Sequence, residues 1–131
     1  IHCGREPSSE AYGIDARALC GVDATARMLE RHGGTTVVVP HIGADEFAEY
    51  EALLDRFPTL WLDTTMTLGG YFPKGPDIGI LARRSERLLY GTDFPNIPYA
   101  WDREMKVLAA ARMTRDALAA IAGGNAARLV G

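Results

Sequence analysis

An α/β fold built on a parallel sheet is what this chain predicts. Three observations carry it: short β-branched or aliphatic runs, helical patterns between them, and a turn or polar residue closing each run. Thr36-Val37-Val38-Val39-Pro40-His41 and Leu88-Leu89-Tyr90-Gly91-Thr92-Asp93 show the pattern most clearly. Strands that alternate with helices pair in parallel. In such sheets reactive groups gather at the carboxyl ends of the strands, so the residues that close each run are the first candidates for function.

The first expected strand is Ile1-His2-Cys3, and the loop over 4–13 that follows is too rich in Gly, Pro and Ser for a regular element. Apolar Met28 and Leu29 among polar Arg27, Glu30 and Arg31 predict a helix over 22–31, with Gly33-Gly34 as its C-cap. The second strand covers 36–39 and closes at Pro40, which has no N–H to donate to a ladder. Asp45 is the expected N-cap of a helix reaching Arg56, in which Phe47, Tyr50, Leu53, Leu54 and Phe57 recur at helical spacing.

Pro58 stops that helix, and 60–65 reads as a third strand with a polar end. The longest irregular stretch, 66–77, holds Gly69-Gly70, Phe72-Pro73 and Gly75-Pro76 and is expected to face a substrate. A short helix over 78–84 leads to a fourth strand, 88–90, which ends at Asp93. After a Pro-containing loop, helices are expected over 101–112 and 115–122, with Asn125 capping a last turn over 126–130. Trp61 and Trp101 are assigned to packing.

The 131 residues fit one domain, 1–131, and 47% hydrophobic with 24% charged residues is an ordinary globular composition. A net charge of -3 with no run of either sign excludes the electrostatic footprint of a nucleic-acid binder. No apolar stretch approaches the roughly 20 residues that span a bilayer, and no leader pattern opens the chain, so no membrane partner and a cytoplasmic location are expected. Cys3 and Cys20, lacking metal-type spacing, are read as reduced thiols. The absence of an initiating Met and the opening on a strand end read as a piece of a longer protein.

Strands ending at His2, His41, Asp63 and Asp93, in that order and with helices between, resemble the second half of an amidohydrolase-superfamily barrel. The nearest branch is the one called amidohydrolase-related, or amidohydrolase 2. Ile1-His2, Val39-Pro40-His41-Ile42-Gly43, Leu62-Asp63-Thr64, Gly91-Thr92-Asp93-Phe94-Pro95 and Gly124-Asn125-Ala126-Ala127-Arg128-Leu129 carry the resemblance. It implies strands five to eight of a TIM-like (β/α)8 metal-dependent hydrolase barrel. Such barrels take about 250 residues, and this chain is near half of that.

The resemblance implies roles for named residues. His2 resembles the fifth-strand metal ligand, His41 the sixth-strand histidine near the substrate, and Asp93 the eighth-strand aspartate that touches the metal and takes a proton from bound water. The His-x-His pair that the family carries on its first strand has no counterpart here. The polypeptide therefore supplies only part of a coordination shell and is expected to be inactive apart from a longer parent. The implied cofactor is a divalent metal, zinc before manganese, iron or cobalt.

The expected reaction is hydrolysis, with a metal-activated water attacking an ester, lactone or amide carbonyl of a small molecule. His41 would steady the developing charge, while Asp63 and Arg5 are the substrate-side candidates. Two alternatives stay open. The same branch holds metal-dependent decarboxylases of aromatic or enoate acids. A half-barrel without metal would instead be a structural or interaction module that pairs with another chain, including a second copy of itself. His32, before Gly33, is read as a helix-end residue.

Overall fold

The computed structural model describes residue 13 and residues 16–131, so the expected strand holding His2 and Cys3, and the loop holding Arg5, lie outside the described residues. Among the described residues three strands form one sheet, β1 (Val37–Val39), β2 (Leu60–Asp63) and β3 (Leu88–Leu89), side by side in chain order. Both pairings are parallel. Val37 lies opposite Leu60 and Val39 opposite Leu62, while Leu62 lies opposite Leu88 and Asp63 opposite Leu89.

A tight turn cannot join parallel neighbours, so each pair is separated by a crossover that carries a helix. These are α3 (Phe47–Arg56), after α1 (Ala16–Cys20) and α2 (Val22–Arg31) earlier in the chain, and α4 (Ile80–Arg83). After the sheet come α5 (Arg103–Ala110), α6 (Arg115–Ala119) and α7 (Asn125–Val130). The core lies between sheet and helices. Val37, Val39, Leu60, Leu62 and Leu88 meet Leu29 of α2, Tyr50, Leu53 and Leu54 of α3, and Leu108 of α5. Burying each such aliphatic side chain contributes about 1.5–3 kcal/mol.

The expected helix over 22–31 is α2, but its cap differs. His32 (φ -127°, ψ 41°) is the C-cap, and neither Gly33 nor Gly34 takes a left-handed conformation. At the other end the carboxylate of Glu46 accepts the amide of Val22 at 3.1 Å, satisfying an orphan donor where the helix dipole favours negative charge. Asp45, expected to cap α3, precedes the turn; Glu46 is the flanking residue and makes no side-chain cap there.

A wide π turn, Ala120–Gly124, follows α6 and kinks at Gly123 (φ 175°, ψ -24°) before α7 begins. Asn125 is fully buried rather than capping: its Nδ2 donates to the carbonyls of Leu88 (2.6 Å) and Ser85 (2.7 Å), and Arg128 donates to its Oδ1 at 2.5 Å. The amide thereby ties α7 to a strand only two residues long. Trp61 packs beneath the guanidinium of Arg87, whereas Trp101 is 64% exposed and belongs to no core. No helix among the described residues is long and apolar enough to cross a membrane.

Candidate functional site at the strand ends

Every non-glycine residue with a left-handed backbone among the described residues lies in a segment leaving the carboxyl end of a strand. These are His41, Ile42 and Ala44 after β1 (φ 60°, 50° and 52°), Met66 after β2 (59°) and Asp93 after β3 (60°). The conformation costs an L residue about 1–2 kcal/mol, and it persists only where surrounding contacts over-determine it.

Around His41 those contacts are explicit. Pro40 opens the turn with its fixed φ, and the His41 amide donates to Asp63 Oδ1 at 3.2 Å. The same oxygen accepts the Thr65 amide at 2.9 Å, so one carboxylate joins the ends of β1 and β2. His41 Nδ1 lies 2.9 Å from the Thr65 carbonyl oxygen. A carbonyl only accepts, so Nδ1 carries the proton and Nε2 is the nitrogen with the lone pair in the neutral ring. Phe72 packs edge-on against the imidazole, with ring centroids 5.7 Å apart.

Gly43 completes the turn at φ 82°, where a Cβ would stand 2.0 Å from the Tyr50 ring; glycine is required both by conformation and by space. A similar constraint shapes the end of β3. A Cβ on Gly91 would stand 2.2 Å from Thr65 Oγ1 and 3.5 Å from Asp63 Cγ, so the last strand seats closely on the end of β2.

Asp93 follows two residues later and is exposed. Its backbone carbonyl accepts the Asn96 amide at 2.7 Å. The local turn uses Thr92 Oγ1, which accepts the Phe94 amide at 3.2 Å, and the Asp93 carboxylate has no hydrogen bond or ion pair among the described residues. Beside it Thr92, Phe94 and Trp101 line a cavity of about 280 Å³.

One feature escaped sequence reading. Glu104 of α5 is 1% exposed, and its Oε1 accepts the Gly69 amide at 2.7 Å and the Tyr99 hydroxyl at 3.1 Å. Burial pushes the Glu104 carboxyl above the usual carboxylate range, opposed by the Gly69 and Tyr99 hydrogen bonds. Burial, and then the charge of Glu104, push the Tyr99 phenol up to about 12. Of the loop expected over 66–77 to face a substrate, residues 66–69 are thus interior, and the exposed part begins at Gly70. Nothing in the local sequence signals this, because the clasping carboxylate comes from a helix beyond the next strand.

The structure brings His41 and Asp63 into direct contact and seats Gly91, just before Asp93, against Asp63 and Thr65. Among the described residues no three His, Cys, Asp or Glu side chains are grouped so as to hold a metal ion. Of the two expected ligands, Asp93 offers an oxygen donor of a kind that zinc accepts, and a catalytic zinc takes three protein ligands. The described residues therefore fit part of a shell, with His2 outside them. His32 caps α2.

Three parallel strands with helices in their crossovers, and polar groups gathered at one rim, define an α/β fold of the kind from which (β/α)8 barrels are built. The chain belongs to the amidohydrolase family, whose sequence profile matches residues 2–131. Its fold is similar to that of an amidohydrolase from Burkholderia multivorans solved with bound zinc, with a TM-score of 0.60 and 18% identity over 82% of this chain and 48% of that one. A form of that amidohydrolase with bound HEPES gives a TM-score of 0.61 at 18% identity and the same coverage. The 5-carboxyvanillate decarboxylase of Sphingomonas paucimobilis gives 0.54 at 19% identity, over 93% of this chain and 42% of that one. No curated protein matches. The chain spans less than half the length of these structural neighbours.

Proposed function

We propose that the protein is a metal-dependent hydrolase in which water attacks an ester, lactone or amide carbonyl of a small molecule at the rim of the sheet. The observation that supports this reading is the placement of His41 and Asp93 in left-handed turns where parallel strands end. A divalent metal, zinc in the first instance, would be held by His2 and Asp93 with ligands from the rest of a longer chain, and when bound it lowers the pKa of water toward neutrality.

Asp93 takes the proton of the attacking water, since its carboxylate is committed to no described partner. His41 acts on the carbonyl oxygen. With Nδ1 donating to Thr65, Nε2 is the ring nitrogen left for the substrate, and a proton carried there would be donated to the negative charge that develops on the oxygen. Asp63 holds the His41 backbone through Oδ1, and its Oδ2 is the atom available to a substrate hydroxyl. Arg5 would receive a substrate carboxylate bidentately.

Replacing Asp93 in the full-length protein tests the assignment. Asp93→Asn is expected to lower turnover by about 10²–10⁴ while the melting temperature holds, and retained turnover overturns it.

Decarboxylation is the second reading, favoured by the aromatic walls of the site. Phe72 lies against His41, Tyr71 packs edge-on to Phe72, and Phe94 and Trp101 are exposed beyond Asp93, surfaces that suit a planar acid. Release of carbon dioxide from aromatic or enoate acids, against acid release from lactones and amides, separates the two.

A further inference from the structure

Glu104 stands behind the rim and touches neither His41 nor Asp93, yet both are reached from it through short chains of bonds. Along one path its Oε1 accepts the Gly69 amide at 2.7 Å. That fixes the turn over 64–69, in which Thr67 Oγ1 and the Thr67 amide both donate to the Thr64 carbonyl, at 2.7 and 3.0 Å. The Thr65 carbonyl of the same turn holds His41 Nδ1. Along the other path the same oxygen accepts the Tyr99 hydroxyl, which closes the loop where the Asn96 amide donates to the Asp93 carbonyl at 2.7 Å.

The two paths meet at one place. A Cβ on Gly69 would stand 3.0 Å from each of Glu104 Oε1, Tyr99 Cζ and Tyr99 Oη, so the two loops touch each other where the carboxylate binds both. Arg103 stacks on the outer face of the Tyr99 ring, 5.1 Å from its centroid, and holds the phenol in place. The turn also carries Met66 in a left-handed conformation, which a fixed anchor at Gly69 helps to maintain.

We propose that Glu104 is a positioning residue: its buried carboxylate clasps the loops after β2 and β3 together and so sets the imidazole of His41 and the carboxylate of Asp93 in register. Its effect on turnover rests on the hydrolase reading, but the clasp itself does not.

Hydrogen exchange and steady-state kinetics on the full-length protein test it, with Glu104→Met, which removes the acceptor at similar length, and Tyr99→Phe. In Glu104→Met the Gly69 and Asn96 amides are both expected to exchange about tenfold faster or more. Turnover is expected to fall by about tenfold to a hundredfold with KM held within about twofold, as when reacting groups are misplaced rather than binding lost. In Tyr99→Phe, which deletes one hydroxyl, exchange at Asn96 rises and that at Gly69 does not.

If Asn96 is unchanged in Tyr99→Phe, the clasp is overturned, whether or not Glu104→Met folds. Wild-type kcat in Glu104→Met, alongside a dead Asp93→Asn, overturns positioning and leaves the proposed reaction standing. Accelerated exchange at both amides, with turnover intact in Asp93→Asn, sustains the clasp and removes the reaction.

Discussion

The carboxylate of Asp63 receives the backbone amide of His41 at 3.2 Å, across the ends of β2 and β1. The bond sets the start of a left-handed turn by a side chain of the neighbouring strand, and the Thr65 amide on the same oxygen keeps that side chain in place. His41 is thus aimed by two contacts from one segment, Asp63 at its amide and Thr65 at its ring.

Asp63→Ala is expected to lower stability by about 1–3 kcal/mol, since two amides lose their acceptor, and to reduce turnover. Asp63→Asn keeps an oxygen for both amides and should restore most of the stability. Urea titration of the two variants reads the difference; equal losses would mean that the charge, not the acceptor, holds the turn.

Gly43→Ala meets both a left-handed φ of 82° and a Tyr50 ring 2.0 Å from the new Cβ. The cost is expected to be roughly 2 kcal/mol or more. Adding Tyr50→Leu should recover the steric share and leave the conformational share, which a double-mutant cycle on denaturation midpoints measures. Strict additivity would mean that the ring already moves aside.

Asn125→Ala strips the donor that binds the carbonyls of Leu88 and Ser85. About 2–3 kcal/mol of stability should be lost. Asn125→Asp, which turns an acceptor toward those carbonyls, should be no better. A melting temperature within about a degree of wild type in either variant would show that β3 is held by packing alone.

For Glu104 the sign of the pH dependence is opposite to that of the surface carboxylates. Burial raises its carboxyl above the ordinary value of 4.5, so the native state holds the proton more tightly than the unfolded chain. Its contribution to stability is complete below about pH 4.5 and declines as pH rises through the raised native value. Glu51 and Asp77 are lowered instead, Glu51 chiefly by its hydrogen bond to Arg83 and Asp77 chiefly by the Gly79 amide, and they lose stability as pH falls. The stability of wild type relative to Glu104→Gln should therefore decrease as pH rises above about 4.5; a constant difference in denaturation free energy would contradict the buried, proton-favouring site.

Legibility in the sequence followed range. The limits of α2, the periodic core of α3 and the β-branched runs are local patterns, and they appear where expected. So do His41, Asp63 and Asp93 at strand ends, because a parallel sheet places its polar closures on one rim. Three features stayed hidden for one physical reason: their partners lie far along the chain. Glu46 serves α2 rather than its own helix, Asn125 serves β3 rather than its own turn, and Glu104 binds the buried start of a loop that reads as substrate-facing. The left-handed turn at His41 was silent too, since only one of its four residues with positive φ is a glycine.

The parallel register also governs the order in which the chain can assemble. None of the three described strands can zip onto its neighbour as a hairpin does, and each pairing waits for a crossover to form and dock. The smallest unit able to close is β1 with α3 and β2. The two-residue β3 can settle only afterwards, and its Leu88 carbonyl finds the amide of Asn125 only once α7 has been made. Among the described strands the rim that carries Asp93 would therefore be the last to seat, so a chain clipped before α7 would present a half-built sheet edge.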